Sequence, residues 1–506
     1  MSAKRVFVVA HQMNSGMDSK EYAGQMAGFV EHWLGNPASR AVLKFAAARC
    51  PQCGRRIDLA LRDFLGLSPK MCIKCKASSS VINRLLSFLI EKNNISRKDA
   101  EIAFADPMWR KGLSSVMEGI AEFGPKKPFT AFVPFLVVWN ITRACNLSCK
   151  HCYESALVKD SDELNTEEAL KAVDGLAEAG VAYLAISGGE PLVRKDLFEI
   201  IQRIRKNEMA FSIATNGTLL TRENARQLKS LGCLYAQVSL DGAKPLTHNR
   251  FRGSEAFERT IEGIKNAVSE GLLVGIAMTV TQHNYKEVPA ALDLAEKLGA
   301  GLFMHYNFIP AGRGKEIIGL DISPEKREEL LAWLAGQIGK RKIPVLSTAP
   351  QFSSACKKIG KPCALTHFDV ISQDTKFGDS ISFLADFVGG CGAGRLYMAM
   401  EPNGDFEPCV FMPIKIGNIR KDSLLETWHK NIALNKMRKR EEFWGNCGIC
   451  ENRSACGGCR ARAYGYFADV QGPDPGCIKN LEYWKRLKGE SKEISLVAGV
   501  MPKHLP

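Results

Sequence analysis

The chain has 506 residues, of which 45% are hydrophobic and 24% are charged, and its formal net charge is +14. This composition is typical of a globular protein, and the length predicts about three domains. No apolar run approaches the roughly 20 residues of a membrane span, and the N-terminus lacks the apolar stretch of a signal peptide. We therefore exclude a transmembrane protein, a secreted disulfide scaffold and a disordered chain. We expect a cytoplasmic protein and leave peripheral contact with a membrane open.

Residues 1–130 predict a helical N-terminal region that ends in the breaker-rich linker GPKKP. Helical spacing of apolar residues is clear over Ala38–Ala48 and Val81–Lys92. In the second of these helices we expect one apolar face to pack against the rest of the protein rather than a membrane surface. This face consists of Val81, Leu85, Phe88 and Leu89.

A metal site is predicted inside this helical region by the spacing Cys50-x2-Cys53-x18-Cys72-x2-Cys75. In a chain without a signal peptide, paired cysteines indicate metal binding rather than disulfides. Four thiolates suit either zinc or a single iron. Zinc, which we favour, would be a structural staple, whereas iron would be an electron relay.

Strands and helices alternate from about residue 135 to 310, which predicts an α/β fold with a parallel sheet and right-handed crossovers. Two arrangements of the sheet fit this pattern, an open doubly wound sheet and a barrel. The candidate strands are Phe135–Ile141, Val181–Ser187, Ala210–Thr215, Tyr235–Leu240, Leu273–Val280 and Leu302–Phe308. The candidate helices between them are 166–179, 195–206, 221–231, 255–270 and 286–298.

The most distinctive motifs follow the first four strands, at the edge of a parallel sheet where active sites form. They are CNLSCKHC, SGGEP, TNG and SLDG. The first contains Cys145, Cys149 and Cys152. Three thiolates on a [4Fe–4S] cluster leave one iron without a protein ligand, and an open metal position is what a catalytic site needs.

The sequence RACNLSCKHCY followed by SGGEP resembles the radical S-adenosylmethionine (SAM) superfamily. The resemblance implies a partial (β/α)6 barrel over residues 131–320. In that family SAM chelates the open iron, and an electron from a ferredoxin- or flavodoxin-type donor cleaves it. The resulting 5′-deoxyadenosyl radical abstracts hydrogen from an unactivated C–H bond.

The resemblance also assigns site residues by their positions in the motifs. Cys145, Cys149 and Cys152 would bind the catalytic cluster, and Glu190 would accept the SAM ammonium within the Gly-Gly-Glu turn. Turn formation and solvated charge are the alternative explanations for the polar candidates. The residues assigned to SAM are Tyr153, Gly188, Gly189, Glu190, Asn216, Ser239, Asp241 and either Arg250 or Arg252.

The C-terminal cysteines resemble the SPASM extension of radical SAM enzymes, which holds auxiliary [4Fe–4S] clusters. By this resemblance the module covers residues 391–480. It follows a bridge at 321–390 with a helix at 324–340, and a basic tail at 481–506 comes last. One cluster would take Cys447, Cys450, Cys456 and Cys477, and the other would take Cys391, Cys409 and Cys459. Cys363 or Cys356 could supply an eighth ligand, or one iron could stay open for substrate. Zinc in place of these clusters is the alternative.

The substrate is the least determined part of the function. The combination of three predicted clusters with a four-cysteine site resembles that of the tetraether lipid synthases, so the hydrocarbon chains of membrane lipids are our leading candidate substrate. The basic N-terminal arm would suit anionic head groups. The run CGGCRARAYG resembles the tetrapyrrole-modifying branch, and peptides are a third class. A zinc-ribbon protein that binds nucleic acid is the non-enzymatic alternative. It leaves GGEP and SLDG unexplained, and we do not expect nucleic acid as a partner.

Overall fold

The computed structural model describes residues 36–92, 96–360 and 388–490. In its N-terminal part, helices surround a small hairpin in which Cys50 pairs with Gly54. The elements of this part are α1 (Pro37–Ala47), β1 (Arg49–Cys50), β2 (Gly54–Arg55), α2 (Arg56–Phe64), α3 (Ile73–Lys92), α4 (Arg97–Ala105) and α5 (Pro107–Phe123).

The prediction of which face of α3 is buried is wrong. Val81 and Phe88 are 43% and 47% exposed, whereas Ile82, Leu86 and Ile90 are buried. Apolar residues occur on two sides of this helix, and contact with α2 decides which side is covered. The Leu89 side chain lies outside the described part of the protein.

The core is one sheet in which strands and helices alternate along the chain. Helix α6 begins at a capping box formed by Asn165 and Glu168 and ends at Gly180, whose backbone is left-handed. The elements are β3 (Leu136–Asn140), α6 (Thr166–Ala179), β4 (Tyr183–Ser187), α7 (Leu197–Lys206), β5 (Ala210–Thr215), α8 (Arg222–Ser230), β6 (Ala236–Ser239), α9 (Pro245–Arg252), α10 (Ala256–Ser269), β7 (Val274–Val280), α11 (Val288–Lys297), β8 (Leu302–Asn307), α12 (Pro324–Gln337), β9 (Val345–Ser347) and α13 (Phe352–Lys358).

The order of the strands distinguishes the two predicted closures. Strands β3 to β9 are parallel and lie side by side in chain order. A doubly wound sheet reverses its order at a switch point, whereas right-handed crossovers in one unbroken order place all helices on one face. The sheet is therefore an open, partial barrel with its helices outside. The sequence did not predict α9 as a separate helix.

The C-terminal cysteine-rich region extends this sheet. A first strand pairs in parallel with β3, with Tyr397 opposite Leu136, and two antiparallel strands follow at the edge. The elements are β10 (Tyr397–Met400), β11 (Asp405–Glu407), β12 (Gly417–Asn418), α14 (Leu424–Lys430), α15 (Ile432–Arg438), α16 (Asn446–Ile449), α17 (Arg460–Phe467) and α18 (Leu481–Leu487).

Two apolar layers cover the sheet. The larger one fills the space between the strands and the outer helices and includes Trp139, Phe211 and Phe303. The second lies on the inner face and includes Leu136, Tyr183 and residues of the C-terminal region. Within the described ranges, no helix is both long enough and apolar enough to cross a membrane.

Candidate active site and auxiliary metal sites

The three-cysteine loop leaves β3 and is held by backbone contacts. The Cys145 N–H donates to the Leu157 carbonyl at 3.2 Å, and the Cys152 N–H donates to the Cys149 carbonyl at 3.3 Å. Arg313 also stabilises the loop, because its Nε donates to the Cys149 carbonyl at 2.9 Å. Cys149 is buried, and Cys145 and Cys152 are partly buried.

These three thiols share one electrostatic environment. Burial, together with the neighbouring Glu190, Cys149 and Cys152, raises the pKa of Cys145 to about 11. Thiolates that repel one another in this way are stable only when a positive group neutralises them, and bound iron would supply that charge. The donor set therefore fits an iron–sulfur cluster.

The Gly-Gly-Glu turn after β4 lies directly against this loop. The N–H groups of Gly189 and Glu190 donate to the carbonyls of Thr142 at 2.7 Å and Ala144 at 2.9 Å. Gly188 has a φ of +128°, and a Cβ on Gly188 or Gly189 would overlap the carbonyl oxygen of Thr142 or Ala144. Only glycine permits this approach. The three-cysteine loop and the Gly-Gly-Glu turn are therefore in direct backbone contact.

The side chain of Glu190 lies between the ends of two neighbouring strands. It is completely buried, and its carboxylate accepts hydrogen bonds from Thr215 Oγ1 at 2.8 Å, Asn216 N at 2.8 Å and Leu192 N at 3.1 Å. Burial raises its pKa. The carboxylate thus ties the end of β4 to the end of β5, and acceptance of the SAM ammonium by Glu190 stays a prediction.

Of the two candidate arginines on α9, only Arg252 reaches the three-cysteine loop. Its Nη1 lies 3.8 Å from Cys149 Sγ, and its Nε donates to Asp241 Oδ2 at 2.5 Å. His151 Nε2 lies 3.1 Å from the same Asp241 oxygen. Arg250 is exposed, so it does not contribute to this group.

The ion pair fixes the charges at this point. Burial opposes the charge of Arg252, but Asp241 and Cys149 outweigh it and the pKa of Arg252 is raised. Burial likewise opposes the Asp241 charge, yet Arg252 and His151 hold its pKa well below the ordinary value. Asp241 is completely buried. It therefore positions Arg252, and its contact with SAM stays a prediction.

The remaining SAM candidates lie at the same edge of the sheet. The Tyr153 hydroxyl donates to Asn140 Oδ1 at 3.2 Å and lies 2.9 Å from Ser187 Oγ, which holds the ring in place. Asn216 Nδ2 donates to Asn146 Oδ1 at 2.9 Å, so it braces the three-cysteine loop. Ser239 is partly buried at the last position of β6.

A group of buried carboxyls beside Tyr153 was missed by the sequence analysis. Asn140 Nδ2 donates to Glu154 at 2.6 Å and to Glu401 at 2.9 Å. Burial raises the pKa of both glutamates, and it raises the pKa of Glu407 to about 10. Glu401 follows β10, so its position after a strand was the available signal. Recognition of β10 as a core strand would have revealed it.

The first auxiliary site contains four cysteines around one cavity. Cys447, Cys450, Cys456 and Cys477 line it together. Backbone and amide N–H groups point at the sulfurs, because Asp474 N lies 3.4 Å and Asn480 Nδ2 lies 3.5 Å from Cys447 Sγ. Gly458 N lies 3.4 Å from Cys456 Sγ. The arrangement fits a four-thiolate cluster.

The second auxiliary site contains Cys391, Cys409 and Cys459 on the inner face of the sheet. Burial raises the pKa of Cys409 to about 12, with a smaller contribution from Cys391. Among the described residues, no fourth cysteine joins them. Cys356 is 1% exposed within the apolar layer on the other side of the sheet, which does not fit an eighth ligand. Cys363 lies outside the described residues.

The N-terminal cysteines form the predicted cluster. The sulfur atoms of Cys50, Cys53, Cys72 and Cys75 all lie within 4.8 Å of one another. Across residues 36–92, 96–360 and 388–490, no other group of His, Cys, Asp or Glu is this compact. Backbone N–H groups of Gln52 and Cys53 lower the pKa of Cys50 to about 6. The site fits a single tetrahedral metal ion.

This four-cysteine site docks on the edge of the sheet opposite the active site. Arg49 Nη2 donates to the carbonyls of Glu178 at 2.9 Å and Ala179 at 2.8 Å, at the end of α6. Arg55 pairs with the buried Glu118 of α5 at 2.5 Å. Because α6 ends where β4 begins, the length of the strand separates this site from the three-cysteine loop.

Comparison with protein families and solved structures gives a consistent assignment. The radical SAM superfamily model matches residues 139–295, and the SPASM iron-sulfur cluster-binding domain model matches residues 391–459. An AdoMet-dependent heme synthase of Methanosarcina barkeri is 35% identical over 352 residues, which cover 68% of this chain and 96% of that protein.

Two further relatives and two solved structures are similar. An Fe-coproporphyrin III synthase of Methanosarcina barkeri is 32% identical over 69% of this chain and 88% of its own length. The mycofactocin maturase MftC of Mycobacterium tuberculosis is 29% identical over 68% of this chain and 83% of its own length. Streptococcus suis SuiB bound to S-adenosylmethionine has a TM-score of 0.58 at 16% identity, covering 83% of this chain and 93% of SuiB. The peptide-bound anSMEcpe has a TM-score of 0.52 at 18% identity, covering 70% of this chain and 97% of its own.

None of these names refers to a lipid, so the tetrapyrrole and peptide alternatives receive more support than the leading lipid expectation. The family match supports an enzyme over the non-enzymatic zinc-ribbon alternative. The chain is a member of the radical SAM superfamily that carries a SPASM domain, with SAM, a catalytic iron–sulfur cluster and auxiliary iron–sulfur binding as its cofactor chemistry.

Proposed function

We propose that this radical SAM enzyme abstracts hydrogen from an unactivated carbon of a tetrapyrrole side chain and thereby starts an oxidative modification. The observation that carries this proposal is the 35% identity to a heme synthase over 96% of that protein. The run CGGCRARAYG in the auxiliary module supports the same substrate class.

In this proposal Cys145, Cys149 and Cys152 hold the catalytic cluster. Together with SAM, the cluster supplies a 5′-deoxyadenosyl radical. The backbone of Gly188 and Gly189 provides the close approach for SAM. Arg252 offsets the negative charge of the cluster at Cys149.

Several other residues shape the SAM pocket from the strand ends. The Tyr153 ring packs edge-to-face on Phe411 of the SPASM domain at 4.9 Å, and we assign its face to the adenine. Asn216 and Ser239 supply polar groups toward the ribose and the methionine. The inner apolar layer reaches Tyr153 through Phe411, and in this proposal it limits the access of water to a reactive radical.

Two groups of cysteines would hold auxiliary clusters, which would supply an oxidant for the substrate radical or an anchor for the substrate. We assign one cluster to Cys447, Cys450, Cys456 and Cys477, which surround one cavity. The other belongs to Cys391, Cys409 and Cys459. A ferredoxin- or flavodoxin-type protein delivers the electron that starts each turnover.

We also propose that the N-terminal site binds zinc as a structural staple. Its sulfurs have the compact arrangement of a single-ion site. It docks at the edge of the sheet opposite the catalytic loop, through Arg49 and Arg55. An electron relay works best near the cluster it serves, whereas a staple belongs where a helical arm joins the barrel.

Hydrocarbon chains of membrane lipids remain a second candidate substrate. The observation that favours them is the combination of the four-cysteine site with two further cysteine sites, which resembles the tetraether lipid synthases. The excess of basic residues in 1–130 would then serve contact with anionic head groups.

The test uses anaerobically reconstituted protein, dithionite and SAM, and it measures 5′-deoxyadenosine. We expect Cys149→Ala to abolish SAM cleavage while most auxiliary iron remains bound. Cys233→Ala is the matched control, because this thiol lies away from all the sites and donates to the Tyr235 carbonyl at 3.3 Å. Failure of the fully loaded wild-type protein to form 5′-deoxyadenosine would refute the proposed chemistry.

Substrate class is tested by adding three candidates separately to this assay. They are an iron coproporphyrin, anionic ether-lipid vesicles and a short peptide. We expect the iron coproporphyrin to increase 5′-deoxyadenosine formation and to be modified in mass. Stimulation and mass change with the vesicles alone would replace the tetrapyrrole proposal with the lipid candidate.

A further inference from the structure

A tyrosine phenol points at one sulfur of the second auxiliary site, which contains Cys391, Cys409 and Cys459. The Tyr397 hydroxyl donates to Cys409 Sγ at 3.0 Å. Both residues are buried, with 5% and 3% of their surfaces exposed. Water therefore competes little for this hydrogen bond.

The position of Tyr397 is fixed by the sheet. It is the first residue of β10 and lies opposite Leu136 of β3 in the parallel ladder. Its N–H also donates to the Gly392 carbonyl at 3.2 Å, in the segment that follows Cys391. The strand therefore holds the phenol at Cys409 while it joins the auxiliary site to the barrel.

We propose that Tyr397 is a positioning residue that raises the reduction potential of the auxiliary cluster bound by Cys391, Cys409 and Cys459. This inference rests on the ligand set assigned above. A hydrogen bond to a cluster sulfur stabilises the reduced, more negative state, so it makes the cluster easier to reduce. A substrate radical that loses its electron to this cluster would lose it more readily.

Two other phenols on this face donate to oxygen acceptors rather than to a cysteine sulfur. The Tyr183 hydroxyl donates to Ser212 Oγ at 2.5 Å, and the Tyr306 hydroxyl donates to Gln237 Oε1 at 2.9 Å. The donors described above for the four-cysteine site are nitrogen groups at 3.4–3.5 Å. The phenol is thus a shorter contact, and a single substitution removes it without changing the backbone.

The test compares Tyr397→Phe with the control Tyr183→Phe, which removes a phenol of the same inner face. Iron content and the midpoint potential of each auxiliary cluster are measured by redox titration with electron paramagnetic resonance. We expect Tyr397→Phe to keep its iron and to shift one midpoint potential to a more negative value. We expect Tyr183→Phe to leave both midpoint potentials unchanged.

A third variant, Cys409→Ala, separates this inference from the assigned ligand set. We expect it to remove or convert one auxiliary cluster signal. If it does so while Tyr397→Phe leaves every potential unchanged, the role of Tyr397 is refuted and the ligand set stands. If Cys409→Ala leaves both signals intact, the ligand set and the inference both fail. Loss of iron from Tyr397→Phe would instead show that the phenol is needed to retain the cluster, and it would overturn the proposed tuning role.

Discussion

Arg252 and Arg250 lie two residues apart on α9 and provide a sharp test of the site geometry. Arg252 pairs with the completely buried Asp241 at 2.5 Å and reaches toward Cys149, whereas Arg250 is exposed. We therefore expect Arg252→Ala to destabilise the protein strongly and Arg250→Ala to leave its stability nearly unchanged.

The size of the effect follows from the buried pair. Opposite charges with centres about 4 Å apart attract by about 4 kcal/mol at an effective dielectric constant of 20. Removal of one partner of a buried pair costs about 3–5 kcal/mol, because the other charge stays desolvated. Asp241 keeps its contacts with His151 at 3.1 Å and with the Thr279 N–H at 2.8 Å. Because these contacts still stabilise the Asp241 charge, we expect the loss of unfolding free energy to lie at the lower end of this range, about 3 kcal/mol.

The assay is urea unfolding of the reconstituted enzyme, followed by circular dichroism, with iron content measured on each variant. For Arg250→Ala we expect a change within about 0.5 kcal/mol, as for other exposed positions. We also expect 5′-deoxyadenosine formation to fall much more in Arg252→Ala than in Arg250→Ala. Equal losses of stability in the two variants would show that the buried pair does not organise this site.

Three further predictions concern other parts of the molecule. Elemental analysis should find about one zinc per chain, and Cys75→Ala should lose this zinc while the catalytic and auxiliary iron remains. Iron at the N-terminal site would contradict its proposed role as a structural zinc site. Ile82→Ala should cost about 2–5 kcal/mol of unfolding free energy, whereas Val81→Ala should change it by less than about 0.5 kcal/mol, and equal losses would refute the observed face of α3. Arg420 lowers the pKa of Glu168 to about 2 from 4.5, so this pair stabilises the fold above about pH 4.5 and its contribution is lost as the pH falls toward 2; the difference in melting temperature between the wild type and Arg420→Ala should shrink over that range, and a constant difference would contradict the assignment.

Much of the fold follows from local patterns. The alternating strands and helices of the core were predicted within a few residues, because their apolar periodicity and caps are encoded in short segments. Helix α6, predicted at 166–179, is Thr166–Ala179. The short strands β9 and β10 were missed, since three or four apolar residues do not distinguish a strand from a loop.

The residues of the candidate site likewise divide into those that local sequence predicts and those that depend on tertiary contacts. Cysteine spacings within one loop predict a shared metal, because ligands a few residues apart are brought together by the loop itself. The direction of a side chain at a strand end is not local. Glu190 meets Asn216, and Asn140 meets Glu401 across 261 residues, only because particular strands are neighbours.

The sequence by itself determined the superfamily and predicted the three-thiolate loop and the grouping of most cysteines into four candidate metal sites. Tertiary structure decided which arginine reaches Cys149, which face of α3 is buried and which phenol meets Cys409. It also placed the N-terminal site at the far edge of the sheet. The physical reason is that spacing along the chain limits which residues can share a ligand, whereas burial and hydrogen bonding between distant segments depend on strand order and register.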